Sequence, residues 1–150
     1  MADLKLSVPT GEVSLSAGTA KTVLLMKAPA NQRLKILGFE IFFKGTSPTD
    51  TPVKCELIRV TSDGTGTAVT PAPNDDDQAE TPQGTYKANY SAEPSYGSAT
   101  LRVWEIQPQT GIIYMFPQGQ EIRVKGGNLI GLRMTASQSE TVSVNAIVEE

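Results

Sequence analysis

The stretch QGQEIRVKGGNLIGLRMTA, residues 118–136, decides how this chain is read. Glycines at Gly119, Gly126, Gly127 and Gly131 stand among Arg123, Lys125 and Arg133, the composition of a loop that could cradle phosphate. A Walker loop, however, ends in Gly-Lys-Ser/Thr and leads into a helix. A dinucleotide fingerprint needs Gly-x-Gly-x-x-Gly between a strand and a helix. Here Lys125 precedes the glycine pair, and Leu-Ile-Gly-Leu-Arg-Met after it has the alternation of a strand. The stretch therefore reads as a β-hairpin. Ile122 and Val124 lie on one strand, and Gly126-Gly127-Asn128 supplies a turn with positive φ. Ile130, Leu132 and Met134 then return into the core. Gly131, in mid-strand, points to a bulge or a close neighbour on its face.

The same pattern extends through the chain. No window sustains helical periodicity. Short apolar runs rich in Val, Ile, Leu and Phe are separated by Gly, Pro, Asn, Asp, Ser and Thr, as strands are by turns. The strand candidates include Lys21 to Ala28, Leu34 to Lys44, Val53 to Thr61, Thr100 to Ile106, Gly111 to Phe116, Leu129 to Ala136 and Thr141 to Val148. In the longest, Leu34 to Lys44, the residues Leu37, Phe39, Ile41 and Phe43 are assigned to the core. About eight to ten strands at this spacing predict an all-β fold, an antiparallel β-sandwich of jelly-roll-like type. Residues 1–11 read as an extended N-terminal arm, in which Pro9 stops the alternation of Leu4, Leu6 and Val8. Residues 12–150 form one β-sandwich domain with a long irregular insertion at 70–98.

Composition narrows the function. Histidine is absent, which removes the commonest general base, the usual partner of a nucleophilic Ser or Cys, and the commonest zinc ligand. An enzyme is not expected, and neither is a cofactor. The net charge of −3, with scattered Lys and Arg, argues against nucleic acid as a partner. No apolar run has membrane-spanning length, and the N-terminus lacks the pattern of a signal peptide. One cysteine, Cys55, forms no intrachain disulfide and reads as a small buried hydrophobe. Synthesis in a cytoplasm is the simplest expectation.

Four sets of residues remain as candidates. Asn74-Asp75-Asp76-Asp77, with Glu80, could offer oxygens to calcium, but consecutive side chains diverge and a solvated loop is the better reading. Tyr86, Tyr90, Tyr96 and Trp104 could form an aromatic platform for a sugar, or could be core residues that pin the long loop. Phe42 faces away from the core-assigned residues, between Glu40 and Lys44. It marks an interface, a second covering sheet or a change of register. Leu4, Leu6 and Val8 would suit a strand added to a neighbour's sheet.

Two strand groups carry a resemblance. Ala20 to Lys27 with Leu34 to Gly45, and Gln118 to Arg133 with Val142 to Val148, resemble the capsid decoration (cement) proteins of tailed bacteriophages, small jelly rolls. The resemblance implies a trimer on the outer head surface of a virion, made in the host cytoplasm. Its partner would be the major capsid protein; the resemblance carries over no site residue, and the interface residues Leu4, Leu6, Val8 and Phe42 come from their own pattern in the strands. The alternative is a carbohydrate-binding module or phage receptor-binding head domain that uses the tyrosines or Trp104.

Overall fold

The computed structural model describes residues 4–44 and 47–150. Among the described residues there are twelve strands, more than the eight to ten expected, and no helix. In chain order they are β1 (Lys5–Leu15), β2 (Lys21–Lys27), β3 (Leu34–Lys44), β4 (Val53–Ser62), β5 (Thr65–Val69), β6 (Ala72–Pro73), β7 (Thr85–Ala92), β8 (Ser95–Ile106), β9 (Ile112–Met115), β10 (Ile122–Val124), β11 (Leu129–Thr135) and β12 (Glu140–Glu149). They form two antiparallel sheets packed face to face, an antiparallel β-sandwich. One sheet has the order β10-β3-β12-β1-β6, with β9 also paired to β3. The other has the order β5-β7-β2-β11-β4-β8.

The last two strands explain the apolar density of the C-terminal sequence. β11 lies between β2 and β4, and β12 lies between β1 and β3. Each is central in its sheet, so each has one face wholly against the core. Ile130, Leu132 and Met134 of β11 are buried against Val142, Val144, Ala146 and Val148 of β12 and their neighbours in one apolar cluster.

The opening stretch is a turn between strands, as read, but it is not a hairpin. β10 pairs with β3 in the first sheet, whereas β11 belongs to the second. The turn at 125–128 crosses from sheet to sheet. It packs against the turn at 28–33, where the Gly127 amide reaches the carbonyls of Ala28 and Pro29 at 3.2 and 3.1 Å. Gly127 takes φ +81°, which glycine adopts without strain. A crossing turn and a hairpin impose the same inward alternation on their flanking strands, so the pattern does not separate them.

The expected arm is part of the sandwich. Its first three residues lie outside the described residues. From Lys5 onward it is β1, paired with β12 from Lys5↔Glu149 to Leu15↔Glu140. A bulge between Pro9 and Glu12, with Gly11 at φ +70°, carries the strand past the proline. β6 covers the other side of β1 only at Leu6 and Ser7, so Pro9 sits where the strand is an edge and its missing N–H is tolerated. The insertion at 70–98 is also more regular than expected. It contains β6, β7 and the start of β8, leaving a loop at 74–84.

A second bulge sets the faces of β3. Ile147 pairs with Gly38 and Val148 with Ile36, so Leu37 is the extra residue. Leu34 and Ile36 are buried on one side of it and Phe39 and Ile41 on the other, while Leu37 and Phe43 are half-buried.

Candidate interaction surface

The bulge in β3 turns Glu40 and Phe42 to the outer face of the first sheet. β9 then adds two apolar residues to that face. Ile113 pairs with Glu40, and Met115 pairs with Gly38. Paired residues in antiparallel strands point to the same side, so Phe42, Ile113 and Met115 share one outer surface. Their exposures are 43%, 63% and 48%. Two glycines make room for them. A Cβ at Gly111 would come within 2.6 Å of the Phe42 ring, and one at Gly38 would collide with the Met115 sulfur. Three exposed large apolar side chains on adjoining strands exceed the scattered singles of an ordinary surface.

The centre of this face is polar and under-satisfied. Asn145 of β12 pairs with Glu40 of β3 and Pro9 of β1. Its Nδ2 donates to the Glu40 carboxylate at 3.3 Å. Its Oδ1 is buried and has no hydrogen-bond partner among the described residues. At one end of the face Lys44 bonds Glu12 at 2.9 Å, beside a shallow depression that Phe42 helps to line. At the other end Lys35 pairs with Glu149.

The remaining candidates have structural surroundings. Leu6 and Val8 are fully buried and Leu4 nearly so, all in the chain's own core. They offer no surface to a neighbour, which corrects their assignment as an interface. Their alternation is that of a half-buried strand, and its burial is supplied within the chain. Phe42 is exposed on the outer face of its sheet.

The tyrosines build no platform. Tyr86 and Tyr90 are buried. The Tyr86 hydroxyl donates to Glu150 at 2.7 Å and the Tyr90 hydroxyl to Asp63 at 2.8 Å. Burial, reinforced by these carboxylates, pushes both phenol pKa values upward. Tyr96 lies over Gly131, at 3.2 Å from the position a Cβ would take, and is the close neighbour expected there. Its hydroxyl meets that of buried Thr22, and the Arg133 guanidinium stacks 4.6 Å from its ring centroid. Burial is the main cause that pushes its pKa up to about 12. Trp104 is half-buried in a chain of rings, 6.1 Å from Phe39 and 5.3 Å from Tyr114, which in turn meets Phe116. These rings close the side of the sandwich between β8 and β9.

Cys55 is fully buried, and burial, with the Glu56 charge beside it, raises its thiol pKa far from the reactive range. Asp75, Asp76 and Asp77 are exposed on the 74–84 loop, where the Asp77 amide bonds the Asp75 carboxylate at 3.1 Å.

Ile113 and Met115 escaped the reading of the sequence. Their signal was the uncharged run at 111–116, apolar at successive positions and therefore on both faces of a strand. Fold and surface together define a β-sandwich with an apolar patch on one outer sheet face. No protein-family model matches the sequence, and no curated protein matches it.

Proposed function

We propose that this chain is a non-enzymatic virion structural protein that binds the outer capsid surface and stabilises a tailed-phage head. The outer face of the first sheet would be its contact with the major capsid protein. The observation that carries the reading is the grouping of Phe42, Ile113 and Met115 on that one face. The Glu40–Asn145 pair gives the same face a polar centre beside these apolar groups. The absence of histidine and the inert surroundings of Cys55 support adhesion over catalysis. The resemblance adds a homo-oligomer, a trimer, and a place on the outer head surface after synthesis in the host cytoplasm. Sugar binding is the weaker reading, since Tyr86 and Tyr90 are buried and present no ring face to stack on a pyranose.

Co-sedimentation tests the proposal. The purified chain is mixed with empty heads built from the capsid protein encoded alongside it. Removing Phe42 from a buried contact costs about 2 kcal/mol, or roughly thirtyfold in affinity. Phe42→Ser combined with Ile113→Ser is expected to abolish pelleting while leaving the melting transition in place. Undiminished pelleting of this variant would overturn the role of the face. A wild-type chain that never pellets would overturn the capsid reading.

A further inference from the structure

One row across the first sheet runs between an edge that is basic and an edge followed by an acidic loop. Lys5 pairs with Glu149, Glu149 with Lys35, and Lys35 with Arg123. Beyond Arg123, the β10 edge ends in Lys125, which shares a shallow depression with Arg33 on the neighbouring turn. Arg33, Arg123 and Lys125 are exposed, and none has an ion-pair partner among the described residues. Glu121 stands nearby, with its carboxylate accepting the Gly119 amide at 2.9 Å. Beyond Lys5, at the opposite edge, the acidic loop begins. The Asn74 amide bonds the Lys5 carbonyl at 2.9 Å, and the Asn74 side chain accepts from Ser7 at 2.7 Å. Asp75, Asp76, Asp77 and Glu80 follow, all exposed and none in an ion pair among the described residues.

Strands are spaced about 4.8 Å apart, so the three gaps from β1 to β10 separate the two features by roughly 14 Å at the least. One chain cannot bring its acidic loop to its own basic edge. A second copy can. We infer that copies of this chain associate head to tail, with the acidic loop at 74–80 of one seated on the Arg33–Arg123–Lys125 edge of the next. The two surfaces differ, so the contact is heterologous, and repetition closes a ring when the rotation between copies permits. The inference rests on the proposal above that copies associate and adds the surfaces by which they do so.

Sedimentation velocity decides it, with circular dichroism to verify that each variant is folded. One variant carries Asp75→Lys, Asp76→Lys and Asp77→Lys. A second carries Arg33→Glu, Arg123→Glu and Lys125→Glu. Each alone is expected to sediment as a monomer where the wild type is an oligomer. Mixing the two restores opposite charges wherever the variants alternate and is expected to restore association, with one like-charged contact left in a ring of three. Molar salt shortens the screening length to about 3 Å and is expected to weaken the wild-type assembly at least about tenfold. Variants that associate as the wild type does would overturn the assigned surfaces and leave association standing. A mixture that stays monomeric would overturn the charge pairing. A wild type that is monomeric throughout would overturn association itself.

Discussion

Gly131 shows how one residue couples both faces of a strand. Its lack of a side chain lets the Tyr96 ring lie against β11, where the Thr22 hydroxyl and the Arg133 guanidinium hold it. A Cβ there would sit 3.1 Å from Val60 and 3.2 Å from Tyr96. Because Tyr96 is held from two sides, it cannot yield readily. Gly131→Ala is expected to destabilise the fold by about 1–2 kcal/mol in urea unfolding. Glu140 provides a pH test. Burial raises its carboxyl pKa, the Gln138 amide opposes this, and Asp50 raises it further. A carboxyl whose folded pKa exceeds its unfolded value favours folding most fully below the unfolded pKa. That contribution is lost as pH rises through the folded pKa. Glu140→Gln is therefore expected to raise Tm at neutral pH, with the gain vanishing near about pH 4, below the ordinary Glu value. Calorimetry across that range reads both. The close neighbour at Gly131 was legible from a glycine in an apolar run. The exposure of Phe42 followed from its opposite parity to Phe39 and Ile41. Leu37 was misplaced because a bulge leaves no mark in an alternating pattern.

At the scale of the element, β1 carries the largest revision. Pro9 reads as a strand stop in isolation, yet a bulge and an open edge accommodate it. Leu6→Ala would empty a fully buried site and is expected to cost about 2–5 kcal/mol. Deleting residues 1–10 would remove Leu6 and Val8 from the core and half of the pairing with β12, so loss of cooperative thermal unfolding is expected. β8 was hidden for a different reason. Its first half, Ser95 to Thr100, is small and polar apart from Tyr96, and among the described residues it pairs only with β4, so it lacks the apolar face of a central strand. The crossing turn at 125–128 was read as a hairpin because pairing partners are set by topology, which local alternation does not encode.

At the scale of the molecule, the sandwich separates its tasks. The interior is one apolar cluster spanning both sheets, with a smaller one of Leu25, Val60 and Tyr90 beside it. The outer face of the first sheet holds apolar groups that the described residues leave exposed. All-β composition and the sandwich architecture could be read from strand spacing and turn residues. The surface could be read only in part. Phe42 was visible, but Ile113 and Met115 join it through the pairing of β9 with β3, a contact across more than seventy positions of sequence.

Methionine oxidation measures directly whether a capsid protein covers this face. Met115 is 48% exposed, whereas Met26 and Met134 are fully buried and serve as internal controls. Dilute peroxide converts accessible methionine to its sulfoxide, which mass spectrometry resolves by peptide. The rates are compared for the chain free in solution and for the chain bound to heads. Met115 is expected to oxidise readily when free and at least about tenfold more slowly on heads, consistent with burial in a contact of standard size. Oxidation of Met115 at the same rate in both states, with the chain still bound, would contradict coverage of this face by the capsid protein.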